Sequence, residues 1–75
     1  AHLSADMASA LRDTLNARLA DAIAVSLQLK QAHWNVRGGT FQQLHELFDT
    51  TYAEVVVYGD TIAERIVQLG GVAHG

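Results

Sequence analysis

The sequence contains no cysteine. Disulfides are therefore excluded, and so are the cysteine-based zinc sites that hold many small domains together. Proline is absent as well, so the breaks between elements fall to glycine, and four of the six glycines stand in two pairs, Gly38-Gly39 and Gly70-Gly71. Lysine and arginine together number five, and the net charge is -3, which leaves little electrostatic reason to bind nucleic acid. No apolar run approaches the roughly 18 residues of a membrane span. No basic-then-apolar leader opens the chain, so secretion is not expected and a cytoplasmic location is. What the sequence does have is 75 residues, 49% of them hydrophobic. That hydrophobic share argues against disorder. The length allows one small domain at most, of a size that usually needs a staple, a metal or a partner.

The apolar spacing predicts two long helices. Alanine is the commonest residue and β-branched residues keep to short stretches, which suits helix. Ser4 is the candidate N-cap of the first helix, with Leu3 as half of a hydrophobic staple. Leu11, Leu15, Leu19, Ile23 and Leu27 recur every fourth residue, and the helix should stop near Val36, before Gly38-Gly39. Thr40 to Gln43 fits a capping box that starts the second helix. Phe41, Leu44, Phe48, Val55, Ile62 and Ile66 then form its stripe, and Gly70-Gly71 closes it. Each helix should run for roughly 28 to 32 residues, or about 42–48 Å. The short connection forces them antiparallel. The fold class expected is all-α, a two-helix antiparallel hairpin. Two helices cannot enclose a core, so another copy, or further chain, must pack on them.

A helical wheel of the second helix carries the functional argument. With His45 at zero, the six stripe residues lie between about −100° and −40°, facing the first helix. A second arc, from 0° to about 100°, holds Ala53, Val56, Ala63 and Val67 together with His45, Asp49, Asp60 and Glu64. The polar arc is narrow: Gln43, Thr50, Glu54, Thr61, Arg65 and Gln68. Acids that share a face with small apolar residues do not describe a solvated face.

Two i, i+4 pairs stand on that second arc, His45 with Asp49 and Asp60 with Glu64. Each sets two metal-binding side chains one turn apart. Imidazole nitrogen with carboxylate oxygen suits Fe(II), Mn(II) or Zn(II). One such pair alone reads as readily as a salt-bridged surface. The pair centres lie about 15 residues apart, or about 22 Å along the helix, too far for one site in one chain. A two-fold-related antiparallel copy lays Asp60 and Glu64 of one chain beside His45 and Asp49 of the other, and creates the site twice. His33, just before the turn, falls at nearly the level of His45. It reads as a further ligand or as a core histidine bonded to a carbonyl.

Other residues admit plainer readings. Trp34 is either a large residue capping a helix end against a partner or a redox-active side chain beside the metal. Tyr52 and Tyr58 read as packing residues, and His2 and His74 as solvated. Arg65 reads as one half of a surface salt bridge. Gly59, inside the second helix, reads as a point of close helix approach, at a cost of about 1 kcal/mol relative to alanine.

The stretch Lys30-Gln31-Ala32-His33-Trp34-Asn35-Val36-Arg37-Gly38 resembles the first-helix signature of the Dps family, the mini-ferritins named for DNA protection in starved cells. Phe41 to Asp49 (FQQLHELFD) and Asp60 to Gly71 (DTIAERIVQLGG) resemble its second motif, and the resemblance covers nearly the whole chain. The resemblance implies that residues 1–75 are the first two helices of a ferritin-like four-helix domain, here incomplete. It implies a hollow twelve-subunit cage with ferroxidase sites between two-fold-related subunits, oxidising Fe(II), preferably with hydrogen peroxide, and storing the ferric product. It implies His33, His45 and Asp49 as ligands from one subunit, with Asp60 and Glu64 from its partner. The family's third and fourth helices have no counterpart in these residues, and a second chain carrying them is one way to complete the subunit. The first ten residues hold no Lys or Arg, so DNA binding through a basic tail at this end is not expected. Two other readings remain: a non-catalytic helical-hairpin interaction module, and a structural dimer whose site is occupied by zinc, which generally outcompetes Fe(II) for such ligands.

Overall fold

The computed structural model describes residues 4–39 and 41–75, which form two α-helices and no strand. Helix α1 runs Ala5–Asn35 and helix α2 Phe41–Gln68. They pack as an antiparallel hairpin, the geometry that so short a connection imposes.

Local chemistry explains the helix ends. The Ser4 hydroxyl accepts a hydrogen bond from the Met7 backbone N–H at 3.1 Å, capping α1, and Asp6 sits in the first turn, where the helix dipole favours a negative charge. Val36 turns the backbone extended and Gly38 adopts φ +99°, a left-handed conformation that costs glycine little. The Phe41 N–H then donates to the Gly38 carbonyl at 3.1 Å as α2 begins. At the far end Gly70 has φ +80°. Its N–H donates to the Val67 carbonyl and that of Gly71 to the Ile66 carbonyl, both at 3.0 Å, which is a Schellman motif. The staple residue Leu3 and the cap residue Thr40 lie outside the described residues, as does His2.

After the Schellman turn the chain folds back along α1, a feature not expected from the sequence. Arg12 Nη1 donates to the Leu69 carbonyl at 2.8 Å, serving an acceptor that the ended helix leaves unpaired. Asn16 Nδ2 donates to the Val72 carbonyl at 3.1 Å, and Asn16 Oδ1 accepts from the His74 N–H at 2.8 Å. Gly71 lies so close that a Cβ there would meet Arg12 Cδ at 2.6 Å.

The core is small and sits toward the end away from the connection. Leu19, Ala22, Ile62 and Ile66 are buried, with Leu15 and Ala63 packed against the cluster. On α2 the predicted stripe holds: Ile62 and Ile66 are buried and Leu44, Phe48 and Val55 half-buried, with only Phe41 open at the tip. On α1 the four-residue spacing holds at Leu15 and Leu19 and fails to either side, because Leu11, Ile23 and Leu27 are exposed. Four residues turn a helix by about 400°, so each step drifts about 40° and five members span most of a half turn. The face that meets α2 passes instead through Ala22, Ser26, Leu29 and His33.

Gly59 also corrects an expectation. A Cβ there would meet Ala22 Cβ at 3.7 Å and Leu19 Cδ1 at 3.8 Å, which is ordinary contact. The helices do not need a glycine at this crossing. Gly59→Ala is expected to stabilise the protein by about 1 kcal/mol, through helix propensity and a less flexible unfolded chain. The check is the midpoint of thermal or urea unfolding; a lower midpoint in the variant contradicts it.

Candidate metal centre

His33 stands in the last turns of α1 and His45 in the second turn of α2, so the hairpin carries them to one level. Their ring centroids are 3.6 Å apart, with the ring planes at 40°. Phe41, one turn before His45, also lies against its ring, centroids 5.2 Å apart. Both histidines are half-buried. His33 Nδ1 is buried and has no hydrogen-bond partner, carbonyl or otherwise. The carbonyl-bonded core histidine is therefore not what forms at this nitrogen. A buried polar atom left in that state costs about 1–3 kcal/mol.

The three carboxylates differ in position. Asp49 lies one turn beyond His45 on the open side of α2, and Asp60 and Glu64 lie far along the same helix, all three exposed. None is in an ion pair: the salt bridge found among the described residues is Arg18 with Asp21 at 3.0 Å, and Arg65 makes none, contrary to the reading from its position. Among the described residues no three His, Asp or Glu side chains gather closely enough to hold a metal ion. The structure thus brings His33 and His45 together and leaves Asp60 and Glu64 apart from them.

Of the small apolar residues among these acids, Ala63 is half-buried against the core and the other three are left open by the chain's own helices. Val56 is 38% and Val67 61% exposed, and Ala53 is exposed too. Asp49 and Ala53 border one shallow hollow, and Ala63, Glu64 and Val67 another.

One neighbour of the site had drawn no attention in the sequence. Lys30 Nζ lies 4.7 Å from the centroid of the Tyr52 ring, a cation–π contact that bridges α1 and α2. Its signal was the i, i+3 spacing to His33, which puts the two on one side of α1. Tyr52 thus packs as expected, whereas Tyr58 is 56% exposed and borders a shallow hollow with Arg18, Ala22 and Val25 of α1. Trp34 is 70% exposed and caps nothing in its own chain. The His74 side chain is exposed, as expected, while its N–H is held by Asn16.

Comparison with known proteins agrees with this geometry. The Ferritin model, described as a ferritin-like domain, matches residues 12–75. A DNA protection during starvation protein of Agrobacterium fabrum is 54% identical over 61 residues, covering 81% of this chain and 38% of the relative. The chain belongs to the Dps branch of the ferritin-like family. Proteins of the same name from Halobacterium salinarum (40% identical over 72 residues, 96% of this chain) and Brevibacillus brevis (40% over 57 residues, 76% of this chain) also match. The chain spans 38% to 40% of the length of these three Dps proteins. The hairpin is accordingly all-α and consistent with half of a ferritin-like bundle. None of the described helices is long and apolar enough to cross a membrane.

Proposed function

We propose that this chain supplies the iron-oxidising half of a Dps-type mini-ferritin subunit. Fe(II) is the substrate, bound by His33, His45 and Asp49 of one chain and Asp60 and Glu64 of a second. The observation that carries the reading is the pair of touching imidazoles with an unpartnered buried nitrogen, with one carboxylate a helical turn beyond His45 and two more stranded farther along the same helix. Each part is an incomplete ligand set, and each lacks what the other has.

The donor set suits the reaction. Neutral imidazole admits Fe(II), and hard carboxylate oxygens favour Fe(III). Five protein ligands shared over a site leave positions open to the oxidant. Hydrogen peroxide accepts one electron from each of two Fe(II) ions and two protons, its O–O bond breaks, and two waters leave with two Fe(III). Because both electrons reach the same peroxide, no hydroxyl radical is released. Ferric product stored in a hollow homo-oligomer, a dodecameric cage once the rest of the subunit is present, gives an iron-storage and stress-protection role. The remaining two helices belong either to the same polypeptide or to a second one. DNA contact is not proposed for this segment, whose net charge is -3.

The test is an anaerobic Fe(II) titration followed by peroxide. Saturable Fe(II) binding, ferric absorbance on adding peroxide, and less spin-trapped hydroxyl radical than in buffer are the expected results. Binding of Fe(II) or Zn(II) without peroxide-dependent oxidation identifies a structural site instead. Absence of binding leaves an interaction module.

A further inference from the structure

The chain that follows α2 brings a histidine back to the acidic end of that helix. Gly70 and Gly71 end α2, and the next residues run along α1. Their path is pinned by side chains of α1. Arg12 Nη1 donates to the Leu69 carbonyl and Asn16 Nδ2 to the Val72 carbonyl, while Asn16 Oδ1 accepts from the His74 N–H. Asn16 thus holds the backbone on both sides of Ala73. The position of His74 is set by these bonds and not by its own side chain.

The returning segment closes one side of a hollow of about 330 Å³ between the two helices, and both His74 and Asp60 line it. Its other walls are apolar apart from Ser26, whose hydroxyl donates to the Ile23 carbonyl at 2.7 Å. Glu64, one turn beyond Asp60, borders the adjoining hollow, and Ala63 and Ala73 line both. His74 and Asp60 are exposed and make no ion pair, with each other or with another described residue. The space between them is open to an ion.

The chemistry of the two groups says which ion. Imidazole nitrogen with carboxylate oxygen suits borderline divalent cations, Zn(II), Co(II) or Fe(II). Mg(II) and Ca(II) take oxygen donors and gain little from an imidazole. The Glu64 carboxylate nearby adds negative charge that raises the local concentration of cations. Among the described residues no three His, Asp or Glu stand close enough to complete a ligand set, so water fills the remaining positions and the ion stays exchangeable.

We infer that His74 is a metal ligand: with Asp60 it forms an exchangeable site for a borderline divalent cation, built within one chain and separate from the His33–His45 pair. The inference goes beyond the shared-site reading above. It needs no second copy, and it gives the acidic end of α2 a nitrogen donor of its own.

Zn(II) alone is the probe. It is titrated calorimetrically into chains carrying His33→Ala and His45→Ala, which lack the other imidazole pair, at concentrations where circular dichroism shows both helices. One Zn(II) per chain is expected. Adding His74→Ala or Asp60→Asn should weaken binding by about tenfold or more, and Asn16→Ala, which keeps both donors but releases the segment carrying His74, by about tenfold. The His74 side chain takes part in none of the described hydrogen bonds, so its truncation spares the fold. Only His2 and His74 remain as histidines in the parent variant, and Co(II) in place of Zn(II) should shift the ring resonances that His74→Ala removes. If His74→Ala chains bind Zn(II) as tightly as their parent, or if Co(II) leaves the His74 ring unshifted, the site is wrong.

The outcome is separable from that of the iron-oxidising reading. Zn(II) binding that depends on His74, with no peroxide-dependent iron oxidation in the wild type, keeps this site and removes the oxidising function. Iron oxidation in the wild type, with Zn(II) binding indifferent to His74, keeps that function and removes this site.

Discussion

Equal mixing of His45→Ala chains with Asp60→Ala chains returns about a quarter of the wild-type iron-oxidising sites, although neither variant oxidises iron on its own. The reason is the reciprocity of a two-fold contact. In a mixed pair one site combines the lesioned histidine side of the first chain with the lesioned acidic side of the second. The other site takes its histidine side from the Asp60→Ala chain and its acids from the His45→Ala chain, and is intact. Half of randomly formed pairs are mixed and each has one good site of two, so about one site in four survives. On the proposed shared site, the separation of the candidate ligands leads to this behaviour. His45 and Asp60 occupy one continuous helix, Phe41–Gln68, and stand about 22 Å apart. Peroxide-dependent ferric absorbance of the mixture, against each variant alone, is the measurement. A mixture as inactive as its parents, while mixed pairs are shown to form with differently tagged chains, sinks the shared site.

The 75-residue chain in isolation is not expected to persist as a folded monomer at micromolar concentration. Its accessible surface is 5424 Å² for a mass of 8.1 kDa. A compact monomer of that mass exposes about 4,500 Å². The radius of gyration is 16.1 Å, where a compact chain of this length has about 11 Å. Among the described residues only Leu19, Ala22, Ile62 and Ile66 are buried, while Leu27, Trp34, Leu47, Val57 and Val67 are each more than half exposed. The hydrophobic gain of so small a core falls well short of the conformational entropy of ordering two long helices. The excess surface is about that which each partner loses in a standard protein interface, about 800 Å². Sedimentation and circular dichroism at the same concentration should therefore find either associated helical chains or a largely unfolded monomer. A helical monomer with a cooperative melt overturns the expectation.

Features that depend on neighbouring residues were legible in the sequence. Ser4 caps α1 because a hydroxyl at that position reaches the free N–H three residues on. Gly70 ends α2 because its turn needs a positive φ. Antiparallel packing followed from a connection too short for anything else. The level of His33 with His45 followed from counting residues away from that connection, and the 3.6 Å ring contact meets it. What failed were extrapolations over several turns. The stripe through Ile23 and Leu27 assumed a four-residue period that a real helix does not keep. The paired Arg65 assumed that an acid nearby in sequence becomes a partner, yet an exposed pair gains little over water.

By its own pattern the sequence determined two helices, their ends, their antiparallel order and the division of the candidate ligands into two sets that one chain cannot join. These are consequences of helical period, caps and chain length, which act over a few residues and need no partner to be read. Only the tertiary structure decided which side chains meet across the hairpin: Lys30 over Tyr52, Arg12 and Asn16 on the returning chain, a methyl-sized space beside Gly59, and a buried nitrogen of His33 with nothing to bind. Each depends on the rotation and axial offset of one helix against the other. Those are set by the packing of Leu19 and Ala22 against Ile62 and Ile66, and no local pattern encodes them.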